Sequence, residues 1–473
     1  MTDDPRSAAL AALSAAIGAG HVLTDPAELA PHEVEGRGLY KGKAIALLRP
    51  GSTEEVSACV RIATAHGLAI VPHGGNTGLV GGGVPYEALV LSLQRLNRVR
   101  EVDAVNLTMV AEAGVILANV QAAAEAADCL FPLSLGAEGS CTIGGNLSTN
   151  AGGTQVLRYG NARELALGLE VVLADGRVLN DLNRLRKNNT GYDLRNLFIG
   201  AEGTLGIITA AVLKLYPRPR VRATAWVGLT SAADGLALFS RLRAVAGDTL
   251  TGFEFMYDFV LQTVFRHIPG VVRPLQGAHP YHALVELTSP DDSLDLSARL
   301  EGLLGEAFEA ELIQDAVVAA SEAQADALWH IRESMSESQR GEGGSIKHDV
   351  SVPVSRVAEF LDRATAACEA DLPGIRVAAF GHFGDGNIHF NLSQPVGMDK
   401  AAYLARWGHF NHIVHGIVAA LGGSISAEHG IGTLKKNELP LYKDAVALEV
   451  MRTLKAALDP RGTLNPGKVL PDA

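Results

Sequence analysis

The spacing of apolar and polar positions divides the chain into short helical and extended segments. In residues 52–67 the apolar side chains recur at helical spacing behind a capping box formed by Ser52 and Glu55, which predicts a helix. Residues 68–72 predict a strand, and residues 167–179 predict a hairpin that turns at an Asp-Gly pair. Helical and extended patterns are mixed along the chain.

The most informative pattern lies in residues 382–391, which read His-Phe-Gly-Asp-Gly-Asn-Ile-His-Phe-Asn. After a turn at Gly386, polar and apolar residues alternate, which predicts a strand with one polar face. The turn brings His382 to the same side as His389, and Glu428 in a later loop offers a carboxylate. Two imidazoles and a carboxylate suit zinc, with coordination positions left for a substrate. The spacing alone is equally compatible with hydrogen-bonded loop histidines.

Two glycine-rich segments follow predicted strands or turns. In residues 73–83, backbone N–H groups can converge on an anion, although a flexible connection would have the same composition. Residues 136–160 mix glycine with small hydroxyl and amide side chains, which suit hydrogen bonding to a flat polar heterocycle. The G-x-G-x-x-G fingerprint of dinucleotide folds is absent from the chain.

Composition narrows the class of protein. The chain has 473 residues, is 47% hydrophobic and carries a net charge of −12, which argues against a nucleic-acid partner. Its four cysteines form no C-x-x-C pair, and no run of eighteen apolar residues predicts a membrane span. The N-terminus lacks the order of charged and apolar residues typical of a secretory signal, so we expect a cytoplasmic protein.

Several motifs in fixed order carry a family resemblance. These are Pro72–Gly78, Gly144–Asn146, Asn150–Gly153, Arg158–Gly160, Lys187–Asp193 and Gly203–Gly206. The sequence resembles the FAD-binding flavoproteins of the vanillyl-alcohol-oxidase (p-cresol-methylhydroxylase, PCMH) type with an FAD-linked oxidase C-terminal domain. Within that superfamily it is most similar to the branch of D-2-hydroxyglutarate and D-lactate dehydrogenases.

The resemblance implies the domain organisation. It implies a PCMH-type FAD-binding domain of two α/β subdomains, an α+β substrate-capping domain, and a C-terminal segment that returns to the flavin domain. Two prolines in residues 215–219 mark the boundary between the domains. The expected spans are a helical lead-in at 1–40, the flavin domain at 41–219, the cap at 220–455 and the returning segment at 456–473.

The resemblance also implies the cofactor residues. Some members attach the flavin through a histidine at the position of Asn76, so we expect non-covalent FAD here. The implied FAD-binding residues are Pro72, Gly74, Gly75, Asn76, Thr77, Gly78, Gly139, Ser140, Gly144, Asn146, Thr149, Asn150, Gly152, Gly153, Tyr159, Gly203, Gly206, Ile207 and Asn465.

By the same resemblance, His382, His389 and Glu428 hold a divalent metal, expected to be zinc, and His429 is the catalytic base. The metal would make the hydroxyl of a 2-hydroxy acid easier to deprotonate, and an imidazole with an ordinary pKa of about 6.5 can take the proton. As neighbours in a loop, Glu428 and His429 are expected to point apart.

The implied substrate residues are Arg332, Ser336, Lys347 and Asn391. Arg332 and Ser336 are expected on one face of a helix at 321–340, and Lys347 on the strand that follows. The family often has Thr where this chain has Ser336, and salt bridging at the surface is the alternative for a lone Arg or Lys. Because Arg332 and Lys347 offer charge for a second carboxylate, we expect D-2-hydroxyglutarate to be oxidised to 2-oxoglutarate.

Other functions are compatible with parts of the sequence. D-lactate, D-malate and glycolate are alternative substrates, while a metal-dependent hydrolase, a non-catalytic flavin-binding protein and an ether-lipid-forming relative are alternative classes. The expected electron acceptor is electron-transferring flavoprotein or a quinone, and a homodimer is a possibility that sequence leaves open.

Two motifs are expected to carry no chemistry. His409, His412 and His415 are three residues apart on a predicted helix and are expected to lie on a solvated or packed face. Residues 462–468 have the spacing of a phosphate loop, but Val469 stands where a Ser or Thr would bind magnesium.

Overall fold

A computed structural model of the chain describes residues 5–471, which fall into two compact units. The first unit comprises the residues up to Gly152, Gly160–Arg218 and the residues from Glu428 onwards. The second comprises Gly153–Tyr159 and Pro219–Ala427. The second unit therefore begins at the proline-rich boundary, but it ends before residue 455 and includes a short piece of the segment expected in the flavin domain.

The first unit contains two principal sheets. The smaller sheet pairs Lys43–Leu48, Tyr86–Ser92 and Ile70–His73 in parallel, with Val22–Leu23 antiparallel at its edge. The larger sheet is antiparallel throughout. Its five strands, in spatial order, are Val99–Asp103, Thr108–Glu112, Ile207–Lys214, Ala166–Val172 and Val178–Asp181. A two-stranded ribbon joins Cys129–Leu130 to Tyr216–Pro217.

The helix predicted at 52–67 is present as Thr53–Ala65. Its N-cap is Ser52, whose hydroxyl accepts from the Glu55 N–H at 3.2 Å, while the Glu55 carboxylate accepts from Gly51 rather than from Ser52. The apolar stripe of the helix is fully buried in the core of the unit, together with Leu464 from the C-terminal segment. The hairpin predicted at 167–179 is also confirmed.

The remaining helices of the first unit are short or peripheral. The first of them ends before Gly18, as predicted. The α-helices are Pro5–Ile17, Pro26–Leu29, Leu117–Ala126, Ile143–Thr149, Arg195–Phe198, Leu439–Tyr442 and Ala445–Leu458, and the 3-10 turns are Ala19–His21 and Ala30–His32.

The second unit is built on one seven-stranded antiparallel sheet. Its strands, in spatial order, are Asp315–Val318, Val221–Leu229, Tyr281–Ser289, Leu250–Tyr257, Arg376–His382, Asn387–Ser393 and Ser345–Ser351. The hairpin between the fifth and sixth strands turns at Gly386, which has φ +84°, a conformation that favours glycine. The predicted strand of residues 387–391 is therefore confirmed.

The two faces of this sheet have different surroundings. One face buries Phe253, Phe255 and Phe390 with further aliphatic residues in a large apolar core. The opposite face buries Trp226, Met256 and other apolar residues along part of its length. The rest of that face carries polar side chains from four adjacent strands, and we call this region the polar face. Its residues include Glu254, His382, His389, Asn391, Lys347 and Asp349.

Helices cover both faces. The α-helices of the unit are Val156–Tyr159, Ala232–Ala246, Asp258–His267, Leu296–Glu309, Glu322–Glu333, Met335–Ser338, Val357–Asp371, Lys400–Leu404 and Trp407–Ala420. The 3-10 turns are Gly247–Thr249, Gln339–Glu342 and Val354–Arg356.

The prediction of one helix from 321 to 340 is wrong. The helix ends at Glu333, and a single turn at Met335–Ser338 follows. Serine hydroxyls compete with the helix for backbone groups, as Ser338 does when it donates to the Met335 carbonyl oxygen at 3.0 Å. Arg332 lies in the first of these helices and is buried, whereas Ser336 lies in the second and is exposed.

Candidate active site

The glycine-rich loop of the first unit follows the strand Ile70–His73 and passes close to a second loop. A Cβ on Gly75 would lie 2.0 Å from the Ser140 carbonyl oxygen, and one on Gly74 would lie 2.3 Å from the Thr142 hydroxyl. Only glycine permits this approach of backbone to backbone. Two of the motifs predicted to bind FAD are thereby brought together.

Two polar atoms beside this approach have no partner among the described residues. They are the Thr142 hydroxyl oxygen and the Asn146 amide nitrogen, both buried. Thr142 precedes the helix Ile143–Thr149 but its side chain makes no capping hydrogen bond. A buried polar group without a partner costs about 1–3 kcal/mol, so these atoms indicate a polar ligand. Thr142 was missed in the sequence, although it stands between the predicted Ser140 and Gly144.

The loop is anchored on its other side by histidine. His73 is 2% exposed, its Nε2 contacts the Gly83 carbonyl oxygen, and its Nδ1 lies 3.2 Å from His32 Nδ1. Burial lowers the pKa of His73 to about 4, although the Gly83 carbonyl opposes that shift. Asn76 has the left-handed φ of +53°, and its amide donates to the carbonyl oxygens of Pro31 and Val34.

Other predicted cofactor residues fix the backbone around these loops. Gly144 contacts Ala113 and Gly203 contacts Pro72 so closely that a Cβ would lie within 2.7 Å of the neighbour. Asn465 donates to the carbonyl oxygens of Gly82 and Glu202, and its own amide oxygen has no partner among the described residues.

The remaining predicted cofactor residues occupy varied positions. Thr77 and Gly78 are exposed, and Thr149 donates back to the Gly145 carbonyl oxygen. Asn150 has φ +52° and accepts from the Arg163 N–H. Also in the first unit are Gly139, Ser140, Gly152, Gly206 and Ile207, whereas Gly153 and Tyr159 belong to the second.

Glu428 and His429 lie in a half-buried loop of the first unit. A Cβ on Gly152 would come within 2.5 Å of a Glu428 carboxylate oxygen, which places that carboxylate over one of the predicted flavin motifs. A ligand atom of Glu428 and one of His429 lie within 4.8 Å of each other. The expectation that the two side chains point apart is therefore wrong, since the loop turns both to one side.

Glu202 fixes this same loop and was missed in the sequence. Its carboxylate accepts from the backbone N–H groups of Ile431 and Gly432, at 2.7 and 2.9 Å. Burial raises the pKa of Glu202, and the two N–H groups act against that shift. A glutamate directly before the glycine-rich motif of residues 203–206 was the available signal.

In the second unit, strand register assembles the polar face. Lys347 pairs with Asn391, and Asp349 pairs with His389 on the neighbouring strand. His382 pairs with Glu254 on its other side. Paired residues in adjacent strands project from the same face, so residues that lie far apart in sequence come together.

The centre of the polar face is a buried carboxylate between an imidazole and a guanidinium. Glu254 is 1% exposed and lies 2.7 Å from His382 Nδ1 and 2.7 Å from Arg332 Nε. Burial would raise the pKa of Glu254, but the Arg332 guanidinium and the His382 imidazole outweigh it and hold that pKa well below its usual range.

Arg332 is held in place with part of its guanidinium unused. Its Nη2 lies 2.7 Å from the same Glu254 oxygen without hydrogen-bond geometry, and no other acceptor reaches it in the described part of the chain. The guanidinium stacks over Phe380 at 4.9 Å from the ring centroid. A buried N–H without an acceptor suits a ligand carboxylate.

The second predicted metal ligand, His389, lies beside the first. The ring centroids of His382 and His389 are 5.8 Å apart and nearly perpendicular. His389 Nδ1 is 3.8 Å from Asp349, whose carboxylate also accepts from Asn387. Asp349 was missed, although it stands two residues from Lys347 and therefore on the same side of its strand.

The predicted substrate residues have different degrees of exposure. Asn391 is buried and donates to Gln339 at 3.1 Å, whereas Lys347 and Ser336 are exposed. Gln339, like Glu254, was missed. A lone glutamate within the apolar run of residues 250–257 was the signal that could have identified Glu254.

The residues of the two motifs predicted to carry no chemistry lie at packed or exposed positions. His409 contacts Asp371 at the surface, His412 is exposed, and His415 is buried 5.5 Å from the His348 ring. The Lys468 ammonium is buried and donates to the Val84 carbonyl oxygen.

Two further sequence expectations can be compared with the structure. All four cysteines are free and buried. No helix in residues 5–471 combines the length and the apolar character that a membrane crossing requires.

Comparison with known families gives two matches. The pattern described as "FAD linked oxidases, C-terminal domain" matches residues 218–469, more than half of the chain, and the pattern described as "FAD binding domain" matches residues 44–181. The second match contains the loops around Gly75 and Thr142.

Whole-chain relatives agree with these matches. The chain is 40% identical to the mitochondrial D-2-hydroxyglutarate dehydrogenase of Bos taurus, over 96% of this chain and 81% of the relative. It is 38% identical to the D-2-hydroxyglutarate dehydrogenase of Xanthomonas citri pv. viticola, over 98% of this chain and 97% of the relative. The fold is similar to that of substrate-bound p-cresol methylhydroxylase, with a TM-score of 0.79, 18% identity, and coverage of 99% and 97% of the two chains.

Proposed function

Because this chain belongs to the FAD-linked oxidases, in the family of the D-2-hydroxyglutarate dehydrogenases, we propose that it oxidises D-2-hydroxyglutarate to 2-oxoglutarate. The observation that carries the choice of substrate is the Arg332 guanidinium, buried on the polar face with an unused N–H. Membership of this family rules out the alternative of a metal-dependent hydrolase.

The first unit has the features that FAD requires. In our proposal the backbone N–H groups of Gly74 and Gly75 bind the pyrophosphate, and the buried polar atoms of Thr142 and Asn146, which lack partners among the described residues, bind further polar groups of FAD. When bound, FAD supplies the acceptor for the hydrogen and electron pair that leave the substrate carbon. We propose non-covalent binding, because the Asn76 amide is not a nucleophile and already contacts the chain.

In our proposal, a divalent metal is held by His382, His389 and Glu428. His382 donates from Nδ1 to a carboxylate, which is the arrangement typical of a metal-ligating histidine, because it leaves the Nε2 lone pair for the ion. Asp349, beside His389, is an additional carboxylate candidate. The imidazole and carboxylate donors suit zinc, and the ion would act as a Lewis acid toward the substrate hydroxyl.

The remaining predicted site residues are proposed to bind the substrate or to accept its proton. In our proposal Arg332 and Lys347 bind the two carboxylates of the substrate, and Asn391 hydrogen-bonds to its carboxylate or hydroxyl. Ser336 adds a hydroxyl at the exposed end. His429 accepts the hydroxyl proton while the hydride leaves C2, so that the 2-oxo acid forms and the proton remains on the imidazole.

Anaerobic mixing of the yellow protein with a panel of D- and L-2-hydroxy acids tests this function. D-2-hydroxyglutarate should bleach the flavin absorbance with the highest kcat/KM, followed by D-lactate, and L-isomers should leave it unchanged. A protein that retains FAD but is bleached by none of these acids would instead be a non-catalytic flavin-binding protein. Faster bleaching by D-lactate would contradict the proposed role of the second carboxylate.

Three narrower expectations stay predictions. Electron-transferring flavoprotein or a quinone is the proposed acceptor, the proposed location is cytoplasmic, and a homodimer is the proposed oligomer. Stopped-flow measurement of reoxidation of the reduced flavin by each acceptor distinguishes electron-transferring flavoprotein from a quinone.

A further inference from the structure

Glu254 is the only acidic residue in the buried strand Leu250–Tyr257. One of its oxygens contacts His382 and the other contacts Arg332, each at 2.7 Å. One carboxylate therefore touches both a residue proposed to hold the metal and a residue proposed to hold the substrate.

We propose that Glu254 is a positioning residue that orients His382 for metal binding and Arg332 for recognition of the second substrate carboxylate. The proposal rests on the function proposed above and extends it to a residue that touches neither metal nor substrate.

The effect on His382 follows from the identity of the acceptor. A carboxylate can only accept, so Nδ1 carries the proton and Nε2 carries the lone pair that binds a metal. The negative charge also makes the imidazole a better ligand, and loss of such a partner typically weakens metal binding by about 10- to 100-fold.

The effect on Arg332 follows from geometry. Glu254 binds the Nε side of the guanidinium, Phe380 lies against its plane, and Nη2, although 2.7 Å from the same Glu254 oxygen, makes no hydrogen bond among the described residues. The charge is thereby neutralised inside the protein while one N–H edge stays available. Phe380 also lies 5.1 Å from the His389 ring, so the same arrangement supports both histidines.

The alternative is that Glu254 only neutralises a buried arginine. Glu286 provides a matched control, because it is a buried carboxylate on the neighbouring strand and on the same side of the sheet. Glu286 accepts from Trp329 at 2.6 Å and from Thr224 at 3.1 Å, and these contacts involve none of the proposed site residues.

The test measures Zn²⁺ affinity by competition with a chromophoric chelator, together with KM for D-2-hydroxyglutarate and for D-lactate, in the FAD-loaded protein. Glu254→Gln should weaken Zn²⁺ binding by about 10- to 100-fold and should raise KM for the diacid more than KM for D-lactate. Glu286→Gln should change each value by less than about 3-fold. Unchanged Zn²⁺ affinity and diacid preference in a Glu254→Gln protein with normal FAD content would overturn the proposal.

Removing Glu254 alone leaves a buried arginine unpaired and can prevent folding. The pair Arg332→Met and Glu254→Gln/Arg332→Met avoids that difficulty, since neither variant contains the arginine charge. Arg332→Met should keep wild-type Zn²⁺ affinity, and the double variant should lose about 10- to 100-fold. Equal affinities in these two variants would overturn the proposed effect of Glu254 on His382. A wild-type protein that binds no Zn²⁺ would contradict the proposed metal site instead, so the two failures are distinguishable.

Discussion

The glycine loops of the first unit and the polar face of the second are proposed to bind ligands through different groups, backbone groups in the loops and charged side chains on the polar face. Around Gly74 and Gly75 the absence of side chains allows the loops to approach closely, and Thr142, Asn146 and Asn465 have buried polar atoms that lack partners among the described residues. On the polar face the specificity comes from charged side chains, and Glu254 provides the negative charge that lets a histidine and an arginine be buried together. Ligand binding by backbone groups should be weakened by a substitution that adds volume. Ligand binding by charged side chains should be weakened by a substitution that removes charge.

The largest effect should come from the proposed base. His429→Ala should lower kcat by roughly 100- to 10,000-fold, because general bases contribute factors of that order. Bound FAD should be retained, since the glycine loops and not His429 are proposed to hold it. Rapid-reaction flavin reduction measures the rate, and the exposed His412→Ala serves as control. A His429→Ala rate near that of wild type would remove His429 as the base.

The next effect concerns stability in acid. Burial lowers the pKa of His73 to about 4 in the folded protein, whereas in the unfolded chain this histidine has its ordinary pKa of about 6.5. Between these two pH values the unfolded chain binds a proton that the folded chain does not bind. Stability should therefore fall as pH decreases from about 6.5 to about 4, by up to about 3 kcal/mol. His73→Gln should remove this part of the pH dependence of unfolding free energy, measured by urea titration. An unchanged slope would show that His73 is not the group responsible.

Arg332→Ala distinguishes a role of Arg332 in binding the second substrate carboxylate from a purely structural role in packing. Hydrogen bonds to charged groups contribute about 1.5–3 kcal/mol, so kcat/KM for D-2-hydroxyglutarate should fall about 10- to 150-fold more than kcat/KM for D-lactate. Steady-state kinetics on both acids give the ratio. Equal losses for the two acids would assign Arg332 to the structure of the sheet alone.

The smallest effect concerns the close approach of the glycine loops. Gly75→Ala places a methyl group 2.0 Å from the Ser140 carbonyl oxygen and should destabilise the loops by about 1–3 kcal/mol, with FAD lost during gel filtration. Gly78→Ala meets no protein atom within 4 Å and should leave the melting temperature of the FAD-free protein unchanged. Equal melting temperatures for the two FAD-free variants would show that the close approach is not required.

The sequence allowed the local features of both regions to be predicted. The alternation of residues 387–391 and the turn at Gly386 were sufficient to place His382 and His389 on one face, because side-chain direction in a strand follows directly from residue order. The order of the glycine motifs similarly allowed the family to be recognised.

Partners that come from distant strands could not be predicted. Glu254 reaches His382 only because two strands separated by more than a hundred residues pair in a particular register, which the pattern within either strand does not determine. The break in the helix predicted at 321–340 was missed for a different reason. Its serines are tolerated in helices but also bond the backbone locally, and tertiary packing decides between the two outcomes.

The most direct test of the proposed site compares flavin reduction by D-2-hydroxyglutarate in metal-depleted and zinc-reconstituted protein, with FAD content matched in both samples. Depletion should slow flavin reduction by at least about two orders of magnitude, Zn²⁺ should restore it, and His389→Ala protein should stay slow after zinc is added. Reduction at the full rate in protein shown by elemental analysis to be free of metal would remove the proposed metal site and would make the histidines of the polar face structural.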